Sequence, residues 1–184
     1  MKLKVGDIPP NFIASDAFGK EVSLSDYESK AVLLVFLRYA GCPWCNLALH
    51  RLTMEYSLLK RAKCELVAFI ESSPKNIQKN IYERHSLKPE FHIIPEPNRK
   101  IYKQYGVDPS IKSIPKMIKN IPYWVHAVKK HGFKQAELDG NLFLVPAFFL
   151  LGHDGRIKQL NYSADLFEHE AFENIYAALN SDQY

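Results

Sequence analysis

Apolar residues along this chain form short uninterrupted runs that alternate with stripes at helical spacing. The runs at 31–37, 65–70 and 147–151 are rich in strand-forming residues and predict buried strands. After the first run, apolar side chains recur at steps of four and three along one helical face: Cys45, Leu49, Leu52, Tyr56 and Leu59. This alternation predicts an α/β fold with a central mixed β-sheet flanked by helices.

Glycine, proline and capping residues set the remaining boundaries. In the first half of the chain they predict an N-terminal hairpin that turns at 18–20, a helix from Ser73 to about 86, an extended segment at 91–94 and a helix from 97 to 105. In the second half they predict a turn at 153–156, a strand at 157–160 and a closing helix at about 167–179. The sequence contains no repeat, linker or low-complexity tract. We therefore predict a single domain over residues 1–184.

Residues 109–140 do not fit this minimal pattern and predict a helical insertion before the late strands. Apolar residues advance by three and four, lysines lie off that stripe, and Pro115 and Pro122 interrupt it. Short helical pieces are therefore expected rather than one rod. The simplest interpretation is a flap that packs on its own domain. A homodimer contact or a contact with an anionic surface are the alternatives, because the exposed side is basic.

Composition narrows the class of protein. With 184 residues, 47% of them hydrophobic and 24% charged, the chain is long enough for one well-packed core. A net charge of +4 does not indicate nucleic-acid binding. No apolar run approaches the ~20 residues that span a bilayer, and the N-terminus lacks the apolar core of a signal peptide. Three cysteines, two of them close together, favour a reversible pair in a reducing cytoplasm.

The candidate chemistry lies in Cys42-Pro43-Trp44-Cys45, between the first buried strand and the striped helix. A helix N-terminus presents unpaired N–H groups and partial positive charge, which stabilise a thiolate. Cysteine pairs in this setting have pKa values from about 3.5 to 7.5, against ~8.5 for a free thiol. We predict that Cys42 is the exposed attacking thiol and Cys45 the shielded resolving thiol.

Neighbouring residues are predicted to position the substrate or the thiolate. Pro43 fits the first helical position, where a missing N–H has no cost. Trp44 offers contact area for a substrate, and Arg38 adds positive charge if it points toward the pair. Cys64 begins a strand and is expected to be an inert packing thiol.

Other uses of the pair remain open at this stage. Cysteines with this spacing also bind zinc, but usually with a second Cys or His pair, and the histidines here lack ligand spacing. Two cysteines that merely pack in the core are the other alternative. We predict neither a metal nor a cofactor.

Longer segments carry a family resemblance. The entry VGDIPPNF with FGKEVSLSDYESKAVLLVFLRYAGC, the stretch PEPNRKIYKQYGV and the strand–turn VPAFFLLGHDGRI are similar to those of the thioredoxin-like superfamily. They resemble most closely its peroxiredoxin-like branch, the alkyl hydroperoxide reductase and thiol-specific antioxidant relatives. The resemblance covers most of the chain outside 109–140 and implies a thioredoxin-like fold and redox activity.

The chain also departs from that branch. Peroxiredoxins are known for a Pro and a Thr before the reactive Cys and for a late Arg. Aligned on Cys45, those first two places hold Arg38 and Cys42, and aligned on Cys42 they hold Val35 and Tyr39. The late Arg falls at Val145-Pro146. Val145-Pro146 instead resembles the cis-proline that docks substrates in thioredoxins. We therefore predict a cis bond there, with a trans proline at the start of a strand as the alternative.

These observations lead to three hypotheses. The first is a cytoplasmic thiol–disulfide oxidoreductase that a thioredoxin- or glutathione-type electron donor reduces. The second is a thiol-dependent peroxidase that reduces hydroperoxides through a sulfenate. The third is a non-catalytic redox-sensing or binding module that contacts a partner through residues 109–140. None of them involves nucleic acid or an integral membrane segment.

Overall fold

A five-stranded mixed β-sheet lies at the centre of the computed structural model, which describes residues 2–110, 121–162 and 169–181. The strands in chain order are β1 (Ile13–Ser15), β2 (Glu21–Ser23), β3 (Ala31–Leu37), β4 (Cys64–Ile70), β5 (His92–Pro95), β6 (Ala147–Leu151) and β7 (Ile157–Tyr162). β1 and β2 form the predicted antiparallel hairpin. The central sheet has the order β5-β4-β3-β6-β7, with β3, β4 and β5 parallel and β6 and β7 antiparallel.

The helices are α1 (Pro43–Arg61), α2 (Pro74–Ile77), α3 (Lys100–Gln104), α4 (Ile121–His131) and α5 (His169–Ser181). A 3-10 helix spans Leu24–Tyr27, and a π turn at Gln78–Tyr82 continues α2. The predicted helix at 97–105 begins only at Lys100, because Arg99 lies in the left-handed region with φ of 53°. The helix predicted to reach about 86 ends at Tyr82. The start of the closing helix predicted at 167 lies outside the described residues.

Hydrophobic packing covers both faces of the sheet. Alternate residues of β3 point to opposite sides: Leu33, Val35 and Leu37 pack with α1 and the cysteine pair, whereas Val32, Leu34 and Phe36 pack with α3 and the N-terminal strands. Strands that are buried on both faces read as continuous apolar runs. This is why the sequence predicts β3, β4 and β6 closely.

The insertion is only partly helical. Its segment 111–120, which carries the first half of the predicted stripe and Pro115, lies outside the described residues. α4 is helical and packs against α1. The prediction fails for residues 132–140, which form no helix. Gly132 has a φ of 68°, a left-handed conformation that ends α4. Beyond it, the Ala136 N–H donates to the Gly41 carbonyl in the loop before α1, not to a carbonyl of a continuing helix.

Two contacts close the base of the insertion. Pro109 and Leu144 form an isolated antiparallel bridge, and the Ser110 N–H donates to the Phe143 carbonyl. The insertion therefore begins and ends at one place, just before β6. Among the described residues, no helix combines the length and the apolar character that crossing a bilayer requires.

Candidate active site

The cysteine pair lies between the end of β3 and the first turn of α1, as the sequence predicts. Cys42 occupies the N-cap position with extended backbone (φ −78°, ψ 122°), and Pro43 is the first helical residue. The Cys42 N–H donates to the Tyr39 carbonyl at 3.1 Å, which closes a tight turn before the helix. Cys45 is on the buried face of α1. All three cysteines are free thiols.

The electrostatic environment separates the two thiols. Burial by itself raises the pKa of Cys42, but four groups outweigh it: the Cys45 thiol, the Arg38 charge, and the N–H groups of Cys45 and Trp44. Together they lower the pKa from its usual 9.0 to about 6. Burial, the bond to Cys42 and its negative charge raise the pKa of Cys45 well above the usual value. The two thiols therefore differ in pKa, and Cys42 has the lower pKa of the two.

The residues predicted to assist the pair surround it. The Arg38 guanidinium lies over the Trp44 ring, 5.1 Å from its centroid, and Nη1 donates to the Leu142 carbonyl at 3.1 Å. Trp44 is half-buried against the core. Cys64 is buried at the start of β4, where burial raises its pKa to about 12, as befits a packing thiol.

The prediction of a cis peptide at Val145–Pro146 is wrong. The described residues contain no cis peptide bond. Pro146 directly precedes β6, whose first residue Ala147 pairs with Phe36, and both Val145 and Pro146 are half-buried. A trans proline is tolerated there because the ladder needs no N–H before its first pair. The two residues still lie at the end of the sheet that carries the cysteines.

The prediction that Cys42 is exposed is also wrong. Its exposed fraction is 0%, and that of Cys45 is 2%. Residues 132–142, which we call the covering segment, lie over the loop that carries Cys42. Backbone contact is direct, since the Ala136 N–H donates to the Gly41 carbonyl at 3.0 Å. Cys42 is therefore closed to solvent in this conformation, and the covering segment contacts the residue directly before it.

Polar side chains anchor the covering segment at both ends. The Asp139 carboxylate accepts hydrogen bonds from Ser72 Oγ at 2.8 Å and from Asn76 Nδ2 at 2.6 Å. The Asn141 N–H donates to Glu71 Oε2 at 3.0 Å. In addition, the Tyr39 hydroxyl donates to Gln135 at 3.2 Å. These bonds are side-chain contacts over long sequence separation, which no local pattern reveals.

Two glycines make this close approach possible. A Cβ at Gly41 would collide with the backbone of Glu137, and a Cβ at Gly140 would lie 2.7 Å from the Glu71 carbonyl oxygen and 2.8 Å from Tyr39 Cβ. Neither partner is the flexible end of a side chain. The chain therefore requires the absence of a side chain on both sides of the contact.

Sequence reasoning also missed a polar pair under the loop. Asn46, which follows Cys45, has an exposed fraction of 0%, and His85 has 1%. Asn46 bonds to the carbonyls of Ala40 and Cys42 and to the His85 ring. No sequence signal marked Asn46, because it lies off the apolar stripe of α1. Within the described ranges, no group of three or more His, Cys, Asp or Glu side chains is arranged to hold a metal ion.

Comparison with known proteins shows what the chain is similar to. The model of the AhpC/TSA family matches residues 5–160. Peroxiredoxin Bcp of Escherichia coli K12 is 28% identical over 105 residues, which are 57% of this chain and 65% of that protein. The thiol-disulfide oxidoreductase ResA of Bacillus thuringiensis is 29% identical over 110 residues, 59% of this chain and 61% of that protein. The chain thus spans a little under two thirds of these relatives.

Solved structures agree on the fold. Peroxidoxin BcpB of Mycobacterium tuberculosis superposes with a TM-score of 0.71 over 99% of both chains, at 15% identity. A cysteine-to-serine variant of PrxQ from Xylella fastidiosa superposes with a TM-score of 0.73 over 98% of both chains, at 12% identity. The predicted thioredoxin-like fold is confirmed by these neighbours.

Proposed function

The chain belongs to the AhpC/TSA family, and we propose that within it the protein is a thiol–disulfide oxidoreductase in which Cys42 attacks and Cys45 resolves. The observation that carries the proposal is the unequal pair: the pKa of Cys42 falls to about 6, whereas that of Cys45 rises well above its usual value. At neutral pH Cys42 is then a thiolate, and Cys45 keeps its proton until it is needed.

The reaction consists of two exchanges. The Cys42 thiolate attacks one sulfur of a substrate disulfide, forms a mixed disulfide and releases the other sulfur as a thiolate. Cys45 then loses its proton and attacks Cys42 Sγ, which releases the second substrate thiolate and leaves the Cys42–Cys45 disulfide. The protein has given up two electrons. A thioredoxin- or glutathione-type dithiol or thiol donor returns them.

Neighbouring groups have separate roles in this scheme. Arg38 and the N–H groups of Trp44 and Cys45 hold the negative charge on Cys42. Burial chiefly, then the bond to Cys42 and the negative charge of Cys42, raise the pKa of Cys45. Once the mixed disulfide removes that charge, the Cys45 thiol ionises more readily, which favours resolution. The covering segment must move aside before the first step. We place the reaction in a reducing compartment, the cytoplasm, where such a pair is recycled.

Three single serine variants test the proposal. Turnover of a model disulfide with a thioredoxin system is expected to vanish in Cys42→Ser and to survive in Cys64→Ser, the matched control. Cys45→Ser should accumulate a mixed disulfide on Cys42, visible as an adduct by intact-protein mass spectrometry. Unchanged turnover in Cys42→Ser would end the assignment.

A thiol peroxidase is the second candidate, favoured by the low pKa of Cys42 beside the Arg38 guanidinium. There Cys42 attacks a hydroperoxide, releases an alcohol and becomes a sulfenate, with which Cys45 condenses to give the disulfide and water. Peroxide mixed with Cys45→Ser should then leave a trappable sulfenic acid on Cys42. If Cys42 reacts with peroxide no faster than free cysteine does, this candidate is excluded. A pair inert to both substrates would indicate a binding module.

A further inference from the structure

The buried Asn46 side chain makes three hydrogen bonds near the cysteine pair, to the carbonyls of Ala40 and Cys42 and to the His85 ring. Its Nδ2 group donates to the Ala40 carbonyl at 2.7 Å and to the Cys42 carbonyl at 2.9 Å. The Asn46 N–H donates to the same Cys42 carbonyl at 3.0 Å, which is the first bond of α1. The Asn46 side chain therefore binds the carbonyls of Ala40 and Cys42, which lie on either side of Gly41.

The orientation of Asn46 depends on His85. Because Nδ2 serves both carbonyls, Oδ1 faces His85 Nε2 at 2.6 Å and can only accept. Nε2 must therefore carry the proton. Nδ1 is buried and has no hydrogen-bond partner among the residues described.

His85 is held in this neutral form by its surroundings. Burial chiefly, then the charges of His50, Arg84, Lys88 and His131, lower the pKa of His85 to about 3. The Phe133 ring stacks on the imidazole, with centroids 4.6 Å apart. A histidine that does not ionise near neutrality cannot act as a proton acceptor there, but it is a fixed donor to Asn46.

We propose that Asn46 is a positioning residue for Cys42, and that His85 holds Asn46 in the orientation that does this. The proposal rests on Cys42 being the attacking thiolate. Fixing the Ala40 and Cys42 carbonyls fixes where Cys42 Sγ lies against the N–H groups of the first helical turn. The Cys42 side chain makes no capping hydrogen bond, but the N–H groups of Trp44 and Cys45 lie close enough to help lower its pKa, so their distance from Sγ matters.

A purely structural role is the competing explanation. Truncation of Asn46 takes the side-chain donor from the buried Ala40 carbonyl, whereas the Cys42 carbonyl keeps the Asn46 N–H, so the truncation also destabilises the fold. Stability alone therefore does not distinguish the two roles. The pKa of Cys42 distinguishes the two roles, because it changes only if the thiol moves relative to the groups that lower the pKa. Those groups are Arg38, the Cys45 thiol and the helix N–H groups.

The test is titration of the Cys42 thiolate by ultraviolet absorbance between about pH 4 and 8, where Cys45 and Cys64 remain protonated because their pKa values are raised. In Asn46→Ala we expect the Cys42 pKa to rise by about one unit or more, toward that of a free thiol. Thr53→Ala is the matched control. Thr53 donates to the Leu49 carbonyl of the same helix, away from the pair, and its loss should leave the pKa unchanged.

Two His85 variants keep the proposal falsifiable if Asn46→Ala does not fold. His85→Gln retains an N–H donor for Asn46 and should keep the Cys42 pKa low, whereas His85→Leu should raise it. Equal pKa values in His85→Gln, His85→Leu and the unmodified protein overturn the positioning role, as does an unshifted pKa in folded Asn46→Ala. A high Cys42 pKa in the unmodified protein would instead defeat the proposed function itself.

Discussion

Access to Cys42 should be limited by opening of the covering segment. The Cys42 side chain has no exposed surface, so a reagent reaches it only in the fraction of molecules in which residues 132–142 have moved away. Its reaction rate is then the intrinsic thiolate rate multiplied by the opening equilibrium constant. Any change that weakens the anchors of the segment should raise that rate.

Asp139→Ala is the sharpest perturbation. It removes two hydrogen bonds, from Ser72 at 2.8 Å and from Asn76 at 2.6 Å. Bonds to a charged group contribute about 1.5–3 kcal/mol each when buried, and the partial exposure of Asp139 reduces this to about 2 kcal/mol for the pair. Since about 1.4 kcal/mol is a factor of ten, opening should become roughly 30-fold more frequent.

The assay is the rate of alkylation of reduced protein, with the modified cysteine identified by mass spectrometry. Measured well above the Cys42 pKa of about 6, the rate is insensitive to small pKa changes. Gly140→Ala should act in the same direction, because its Cβ would lie 2.7 Å from the Glu71 carbonyl oxygen. Leu138→Ala is the control, since Leu138 is 54% exposed in the same segment.

The reasoning is refuted if Asp139→Ala and Gly140→Ala are alkylated at the rate of the unmodified protein. It is refuted equally if Cys42 in the unmodified protein already reacts as fast as a free thiolate. Acceleration in Leu138→Ala equal to that in Asp139→Ala would show that general loosening, and not the Asp139 anchor, sets the rate.

Two further predictions concern ionisation. Cys45→Ala should raise the Cys42 pKa, because it removes the Cys45 thiol, whose hydrogen bond to Cys42 lowers that pKa. Cys45→Ser retains a hydroxyl donor and should raise the Cys42 pKa less. Thiolate absorbance measured against pH checks both. Because the folded pKa of about 6 lies below the usual 9.0, ionisation of Cys42 should add stability that is complete above about pH 9 and disappears as the pH falls through 6. Urea unfolding of the reduced protein and of Cys42→Ala should therefore give free energies that diverge as the pH rises from 6 to 9, and a constant difference contradicts this.

The core of the fold was predictable because it depends on short-range patterns. β3 was predicted at its observed bounds, since a strand buried on both faces must be apolar at every position. α1 was predicted from its stripe and from Pro43, which is favoured at the first helical position. The N-cap placement of Cys42 follows from these two elements.

Two of the errors come from contacts between distant parts of the chain. The burial of Cys42 could not be read from its neighbours in sequence, because the covering segment, which contacts the loop that carries Cys42, lies about ninety residues away. Asn46 lies off the apolar stripe of α1, and the reason for its burial is visible only when His85 is seen against it. The cis bond predicted at Val145–Pro146 is a separate error, because β6 begins at Ala147 as the sequence predicts and the bond before Pro146 is trans.

The sequence by itself determined the α/β alternation and the position of two thiols at a helix N-terminus, because propensity, periodicity and capping act within a few residues. That position already predicted Cys42 as the attacking thiol, whereas only the tertiary structure decided whether it is exposed and which groups shift its pKa. The pKa values and the burial of Cys42 and Cys45 depend on charges, amides and a covering segment that the fold brings together from distant parts of the chain.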